Sequence, residues 1–280
     1  MFRRVRISNI MAVEEGGVET ERGKLLLFGP NGVGKSSLIY ALLRLLYATT
    51  GMTSIPQAVR AIEQADSMVR RGAKMGVVEA DAYRLEIVVG EREEVVVNGR
   101  RYRAPVDLLH IERVGYVDAC GAHIIQQGGP LSVDLCGAVE IRDAEVAEWV
   151  RDRLYVLPVS DIYADRVKIA KTWIGTDRLS YGHRRAIGII FATFNEPEVV
   201  AIEAFEAGLH YDLAVDLLKM LDELKSFVVI ESHIALAVKA AFKMGWSVYY
   251  VDEGRFTRLS SIEELKRVAE KEARAYAAVA

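Results

Sequence analysis

The sequence predicts an α/β fold with a mainly parallel central sheet and a loop that binds phosphate groups. The first observation is the run G-P-N-G-V-G-K-S at residues 29–36, which has the phosphate-loop pattern G-x-x-x-x-G-K-[S/T]. The second is its context, because the apolar run at 24–28 is typical of a buried strand and residues 37–47 carry leucines at helical spacing. The third is the alternation of strand-like and helix-like segments over residues 199–276, which is typical of parallel α/β sheets.

The phosphate loop predicts a site for a nucleoside triphosphate. A strand, a glycine loop and a helix in succession direct backbone N–H groups and the positive end of the helix dipole to one point, which is an anion site. Lys35 is expected to reach the β- and γ-phosphates, and the Ser36 hydroxyl is expected to bind Mg²⁺. The residues predicted to contact the nucleotide are Gly29, Pro30, Asn31, Gly32, Val33, Gly34, Lys35, Ser36 and Ser37.

Length and composition narrow the class of protein. The 280 residues suffice for one large α/β domain or two small ones, and the net charge of −3 argues against extensive coating of nucleic acid while leaving a local basic patch open. The longest apolar stretches, such as residues 186–194, are much shorter than the roughly 20 residues that cross a bilayer. The first residues lack the apolar core of a signal peptide. We therefore expect a cytoplasmic protein without membrane insertion.

Cys120 and Cys136 are the only cysteines. Their spacing matches no zinc-binding motif. Two small buried thiols are the favoured interpretation, and a disulfide is the alternative.

The segments around the phosphate-loop unit have other patterns. Residues 2–10 alternate as an exposed edge strand does, and residues 14–23 predict a turn region. An antiparallel block follows, because Asn98-Gly99 favours a tight hairpin turn between strands. Its strands are predicted at residues 74–81, 84–89, 94–97 and 100–103. Helices are predicted at residues 57–71, 144–154, 180–194, 211–224, 234–244 and 261–276, and further strands at 167–170, 199–203, 227–230 and 248–251.

A second group of motifs lies in the C-terminal half. Residues 179–185 read L-S-Y-G-H-R-R, residues 202–210 read I-E-A-F-E-A-G-L-H, and His233 follows the next predicted strand. In this order the motifs resemble the ATP-binding-cassette (ABC) type heads of the SMC (structural maintenance of chromosomes) and RecF-like ATPases. The chain is most similar to the compact AAA-type ATPases without coiled coil that are related to the overcoming-lysogenization-defect nucleases. The resemblance covers most of the chain outside about residues 50–110 and 131–170.

The resemblance implies that residues 1–280 form a single P-loop NTPase domain with the fold of an ABC-ATPase-like head. Such a head has a mixed or parallel core sheet, an antiparallel β subdomain and a small helical lobe. Residues 1–130 would hold the phosphate loop, the antiparallel block and the Q-loop, and residues 131–178 would form a small helical insert. Residues 179–260 would hold the signature, Walker B and switch-histidine motifs, and residues 261–280 the C-terminal helix.

The resemblance also implies roles for single residues. Ser180 and Gly182 would cap the γ-phosphate of an ATP bound to the partner subunit, so that a homodimer encloses two ATP molecules. Glu203 would lie beside Mg²⁺ through water, and His233 would contact the γ-phosphate. A Q-loop glutamine would complete the Mg²⁺ shell. Gln127 is favoured for this position and Gln126 stays open, because strand parity decides which one points inward.

The resemblance breaks where the hydrolytic residue is expected. The family places a catalytic glutamate directly after the Mg²⁺-linked acid, and this chain has Ala204 there, followed by Phe205. General-base assistance is worth about 10²–10⁴-fold in rate, whereas positioning and charge neutralisation by Lys35 and Mg²⁺ would remain. Glu206 and His210 could substitute for the missing base. We therefore expect a slow ATPase with a long-lived ATP-bound dimer.

Two functions remain open from the sequence. The first is an ATP-driven dimeric switch that acts on DNA in repair, chromosome handling or defence. The second is a regulatory subunit whose dimerisation gates a separately encoded effector protein without nucleic acid, and a transporter subunit is less favoured than either. The basic residues available for DNA, for which solvated surface charge is the favoured interpretation, are Arg3, Arg4, Arg6, Arg70, Arg71, Lys74, Arg100, Arg101 and Arg103.

Overall fold

The computed structural model describes residues 2–52 and 65–277. Its strands are β1 (Arg4–Ile10), β2 (Val13–Glu19), β3 (Lys24–Phe28), β4 (Met75–Ala80), β5 (Tyr83–Val88), β6 (Glu94–Val97), β7 (Arg100–Arg103), β8 (Arg113–Val117), β9 (Gly121–Gln126), β10 (Leu131–Asp134), β11 (Asp161–Tyr163), β12 (Arg166–Ile169), β13 (Thr172–Gly175), β14 (Val199–Ile202), β15 (Phe227–Ser232), β16 (Ser247–Asp252) and β17 (Arg255–Arg258). Its helices are α1 (Lys35–Thr50), α2 (Ala144–Asp152), α3 (Tyr181–Ala192), α4 (Tyr211–Glu223), α5 (Ala235–Lys243) and α6 (Ile262–Ala277).

The central sheet has eight strands in the order β10-β9-β8-β14-β15-β3-β16-β17. Strands β8, β14, β15, β3 and β16 run parallel to one another, and antiparallel strands lie at both edges. The predicted mixed core sheet is confirmed. Because parallel strands end at the same edge, the residues that follow β3, β14 and β15 come together there, which is where such sheets bind ligands.

Side chains of the central strands alternate between two buried faces. Leu25 packs in the apolar cluster that contains α1, and Leu26 packs in the cluster of the opposite face. Burial on both faces explains why these strands read as continuous apolar runs. Ala201 of β14 and Val229 of β15 also lie on the α1 face. Glu203, two residues after Ala201, and Glu231, two residues after Val229, therefore point toward α1 as well.

Helix α1 is buried along most of its length. It packs against β15 of the central sheet on one side and against β1, β4 and β5 on the other. Helix α4 instead buries one side only, through apolar residues at helical spacing. Within residues 2–52 and 65–277, no helix combines the length and the apolar character needed to cross a membrane.

A second sheet, with six antiparallel strands, covers the outer side of α1 in the order β2-β1-β4-β5-β6-β7. Strand β1 pairs with both β2 and β4, so the predicted edge position of residues 2–10 is wrong. Residues 14–23 were predicted as a turn region, but most of β2 lies within them, and this strand contains Gly16 and Gly17. Both glycines are needed there, since a Cβ at Gly16 would collide with the Phe256 ring and one at Gly17 with Arg6 and the neighbouring backbone. The β6–β7 hairpin turns at Asn98 and Gly99 as predicted, both with positive φ (50° and 78°).

The region 131–178 differs from the predicted small helical insert. It contains α2 and a three-stranded antiparallel sheet, β11-β12-β13. The buried positions of these short strands, Ile162 and Val167, are too few to produce a clear alternating pattern in the sequence.

Of the helix predicted at 57–71, the part up to residue 64 lies outside the described residues. Ala65–Met68 forms a 3₁₀ turn, and Val69 makes a β-bridge to Ile10.

Cys120 and Cys136 form a disulfide, with their Cα atoms 4.9 Å apart. Both residues are exposed, so the favoured interpretation of two buried thiols is wrong. Strands β9 and β10 pair antiparallel, which returns the end of β10 to the beginning of β9. The Leu135 N–H donates to the Cys120 carbonyl at 2.8 Å and holds the two loops together.

Candidate nucleotide site

The phosphate loop joins β3 to α1 at the ligand-binding edge of the central sheet. Gly29, Gly32 and Gly34 have φ values of 147°, 76° and 111°, a region that favours glycine. A Cβ at Gly29 would also collide with the carbonyl oxygen of Val251 on β16. Gly34 has no side chain to cap the first turn of α1, so the positive end of the helix faces the loop.

The side chain of Lys35 extends back toward the beginning of this loop. Its side chain is only 2 % exposed, and its Nζ donates to the carbonyl of Gly29 at 2.8 Å and to the carbonyl of Pro30. The same Nζ lies 3.8 Å from Glu231 Oε1. The ammonium group is therefore held inside the loop where the phosphates of a nucleotide would enter.

Glu231 is the principal residue of this cluster that the sequence analysis did not single out. It lies in β15, is 7 % exposed, and its Oε2 accepts a hydrogen bond of 2.7 Å from Ser36 Oγ. Burial would raise the pKa of Glu231, but hydrogen bonds from His233 and Ser36 and the charge of Lys35 hold it below its ordinary value. Buried carboxylates almost always have partners, so a glutamate directly after the apolar run at residues 227–230 was the signal available in the sequence.

His233 also belongs to this cluster, and its predicted contact with the γ-phosphate stays a prediction. Its Nε2 lies 3.3 Å from Glu231 Oε1 and its Nδ1 lies 3.2 Å from the Gly29 carbonyl oxygen. The hydrogen bond to Glu231 raises the pKa of His233, against the opposing effect of burial. A protonated imidazole donates from both nitrogens, which suits the two oxygen acceptors.

Glu203 lies beside Glu231 but has other partners. Its Oε2 accepts a hydrogen bond of 2.9 Å from the Tyr40 hydroxyl, and its Oε1 accepts one from the Tyr116 hydroxyl. Burial raises the pKa of Glu203 to about 7, although both tyrosine hydrogen bonds oppose the shift. The predicted position of Glu203 beside Mg²⁺ stays a prediction.

The loop after β14 contains Ala204 and Glu206. Ala204 adopts a left-handed conformation with a φ of 41°. Glu206 is 8 % exposed and its Oε1 accepts from the backbone N–H of His233, while its Oε2 finds no hydrogen-bond partner within the described part of the chain. Glu206 is thus close to the phosphate-loop cluster, whereas the side chain of His210 is 82 % exposed. A catalytic role of Glu206 stays a prediction.

The signature segment begins α3. Ser180 is exposed and caps the helix, because its Oγ accepts from the His183 N–H at 3.3 Å. Gly182 is required for close packing, since a Cβ there would collide with the Gly208 carbonyl oxygen. Arg185 is completely buried and donates to the carbonyls of Asp118, Glu203 and Ala204. The signature helix is therefore anchored directly to the end of β14.

Gln127 lies at the wrong edge of the sheet to reach the phosphate loop. It follows β9, which runs antiparallel to β8, so that Gln126 pairs with Arg113 at the beginning of β8. Both glutamines line a cavity with Thr50, the last residue of α1. At about 1.5 Å of rise per residue, Thr50 lies about 22 Å along the helix from Lys35. The prediction that Gln127 binds the metal is wrong, because the direction of β9 carries it away from the site.

The residue that follows β8 at the phosphate-loop edge is Asp118. Its Oδ1 accepts from the N–H groups of Cys120 and Gly121 at 2.8 Å each, and its Oδ2 lies 3.2 Å from His123 Nε2. The carboxylate thus closes the β8–β9 turn. Its main-chain carbonyl is one of the acceptors of Arg185.

Comparison with known proteins agrees with this geometry. A sequence model described as ABC transporter matches residues 18–203. Over 160 residues the chain is 28% identical to the DNA double-strand break repair Rad50 ATPase of Methanopyrus kandleri, an alignment that covers 54% of this chain but 17% of that protein.

Two solved structures share the fold at low sequence identity. One is the Smc head domain with an extended coiled coil, bound to the C-terminal domain of ScpA, derived from Pyrococcus furiosus (TM-score 0.64, 11% identity, 97% of this chain and 99% of that chain). The other is the recombination mediator protein RecF (TM-score 0.58, 11% identity, 93% of this chain and 98% of that chain). The narrower similarity to proteins related to the overcoming-lysogenization-defect nucleases stays a prediction. Because the family model covers more than half of the chain, the chain belongs to the ABC transporter family, and the two solved structures show that it shares the fold of SMC and RecF heads.

Proposed function

We propose that this protein binds ATP with Mg²⁺, hydrolyses it slowly, and acts as a homodimeric molecular switch. The observation that carries the proposal is one polar cluster at the phosphate loop. Lys35 and His233 both contact the Gly29 carbonyl and lie within 4 Å of Glu231, which accepts a hydrogen bond from Ser36. An ammonium, a hydroxyl, a carboxylate and an imidazole at a helix N-terminus supply the positioning and the charge neutralisation on which phosphoryl transfer depends.

The donor atoms at this site suit Mg²⁺, which prefers hard oxygen ligands. Ser36 supplies a hydroxyl oxygen, and Glu231 supplies a buried carboxylate that already contacts that hydroxyl. When bound, Mg²⁺ would neutralise part of the phosphate charge. Lys35 would exchange the carbonyls of the loop for phosphate oxygens, and His233 would donate a hydrogen bond to the γ-phosphate.

Slow hydrolysis follows from Ala204, which cannot accept a proton from the attacking water. Steady-state turnover of the purified protein with Mg-ATP tests this. We expect less than about 1 s⁻¹, compared with about 10 s⁻¹ for a typical enzyme. Lys35→Ala should abolish the activity, which excludes a contaminating ATPase. A turnover of tens per second without any partner protein would contradict the proposal, and an unchanged rate in Glu206→Gln would remove Glu206 from it.

Dimerisation through the signature segment is supported by the exposed position of Ser180 at the beginning of α3. At that position its hydroxyl and the N–H groups of the first turn of α3 would hold a phosphate of the ATP bound to a second subunit. Light scattering with a non-hydrolysable ATP analogue should show a dimer. Ser180→Arg should remain a monomer with unchanged ATP affinity. A wild-type monomer under every nucleotide condition would refute the dimer.

Action on DNA is supported by the similarity to the DNA double-strand break repair Rad50 ATPase. A regulatory subunit that gates a protein partner is the second candidate. It is favoured by the ion pairs of Arg4 with Glu19 and of Arg70 with Glu14, because an arginine paired with a carboxylate attracts DNA phosphates less strongly. DNA binding at about 50 mM salt with ATP should weaken steeply as salt rises. No binding under those conditions would leave the regulatory function. A cytoplasmic location is part of both proposals.

A further inference from the structure

Two glutamates from neighbouring strands lie side by side at the edge of the sheet where the phosphate loop lies. Strands β14 and β15 are parallel, and Ile202 pairs with Ile230. Glu203 and Glu231 each follow the paired isoleucine, so they stand at the same level of the sheet. Both point toward α1, because the residues two positions before them lie on that face.

The contacts of these two glutamates separate their roles. Glu231 contacts Ser36 in the first turn of α1, at 2.7 Å, and lies 3.8 Å from Lys35 Nζ. Glu203 contacts Tyr40, one helical turn further from the phosphate loop. Its second oxygen accepts from Tyr116. The carboxylate adjacent to the phosphate-loop hydroxyl is therefore the one on β15.

Burial makes this placement costly unless the carboxylate meets positive charge. Glu231 is 7 % exposed, and Lys35, at 2 % exposed, is the cation nearest to its Oε1 besides His233. When Lys35 turns to the phosphates of a nucleotide, the carboxylate needs a new cationic partner at the same position. A divalent cation that also binds the Ser36 hydroxyl satisfies this requirement.

We infer that Glu231 is the acid that holds Mg²⁺ together with Ser36, and that Glu203 is a positioning residue that ties β14 to α1 through Tyr40. The inference rests on the proposed function. The metal-holding carboxylate thus comes from the strand next to β3 and not from the strand one place further away.

The experiment measures how strongly Mg²⁺ promotes nucleotide binding, with no need for hydrolysis. A fluorescent ATP analogue is titrated into the full chain in EDTA and at a series of free Mg²⁺ concentrations. Glu231→Gln should raise the Mg²⁺ concentration for half-maximal enhancement about 10–100-fold, the usual effect of removing a group that supports a metal. Glu203→Gln is the matched variant, because it makes the same substitution at the neighbouring position of the sheet. It should shift that concentration by less than about threefold, well short of a 10–100-fold metal effect.

Binding in EDTA separates a local effect from misfolding. Glu231→Gln should bind the analogue in EDTA at least as well as the wild type, because a carboxylate has been removed near the phosphates. If this variant fails to fold, Glu231→Asp decides instead, since it keeps the charge but retracts it from Ser36 and should also require more Mg²⁺. The electron paramagnetic resonance spectrum of Mn²⁺ with ATP should change in the Glu231 variants and not in Glu203→Gln.

The possible results are distinct. An unchanged Mg²⁺ requirement in both Glu231 variants, or a larger shift in Glu203→Gln than in Glu231→Gln, would overturn the inference. If the wild type binds the analogue but Mg²⁺ has no influence, the inference is wrong while nucleotide binding stands. If the wild type binds no nucleotide in any condition, the proposed function fails, and the inference fails with it.

Discussion

The substitution Glu203→Gln should stabilise the nucleotide-free protein above neutral pH and lose this effect in acid. Burial raises the pKa of Glu203 from 4.5 to about 7 in the folded protein. Between these values the folded state retains a proton that the unfolded state has released. Stability is therefore lost as the pH rises from about 4.5 through about 7, and above that range the full cost of a buried charge remains.

The magnitude follows from the size of the shift. At about 1.4 kcal/mol per pKa unit, the raised pKa of Glu203 costs about 3 kcal/mol of stability at pH 8, where the folded protein holds the charged carboxylate. At pH 5 the folded carboxyl is protonated, and the cost is about 1 kcal/mol because the unfolded state is already partly ionised. Glutamine is neutral at both values but has only one acceptor oxygen for Tyr40 and Tyr116, which costs about 1 kcal/mol. The net expectation is a gain of about 2 kcal/mol at pH 8 and about zero at pH 5.

Urea denaturation in EDTA at both pH values measures this difference. Glu223→Gln, which changes an exposed carboxylate on α4, is the control and should show no pH-dependent effect. Equal effects of Glu203→Gln at pH 5 and pH 8, or a loss of stability at pH 8, would refute the assignment of a raised pKa to Glu203.

Three further substitutions test how the fold is held together. Lys24→Met removes a buried ammonium that donates to three main-chain carbonyls at and beyond the end of α4. It should lower the free energy of unfolding by about 3 kcal/mol, whereas Lys219→Met on the surface should change it by less than about 0.5 kcal/mol. Replacing Cys120 and Cys136 with serine opens a loop with a sequence separation of 16, which should cost about 3 kcal/mol, and a reducing agent should then have no additional effect. Gly182→Ala places a methyl group against the Gly208 carbonyl oxygen and should lower the melting temperature by the equivalent of about 1–3 kcal/mol. An unchanged melting temperature would contradict the close packing at the beginning of α3.

The local features of the site could be predicted from the sequence. The phosphate loop was recognisable because the glycines, Lys35 and Ser36 are adjacent in the chain, and the strand and helix around them have strong periodic patterns. His233 was singled out by its position after a predicted strand and by the family resemblance, and the structure places its Nδ1 3.2 Å from the Gly29 carbonyl oxygen. Such features depend on short-range spacing, which a single sequence displays directly.

What the sequence could not determine depends on strand direction and on neighbours distant in the chain. Gln127 was placed at the metal by its resemblance to a Q-loop glutamine, but β9 runs antiparallel to β8 and ends at the opposite edge of the sheet. Glu231 was missed because its partner Ser36 lies 195 residues away, and only the pairing of β15 with β3 brings the two together. The sequence by itself determined the nucleotide loop and the class of fold. Only the tertiary structure decided which carboxylate lies beside Ser36, because the order and direction of the strands bring together side chains that are far apart in the chain.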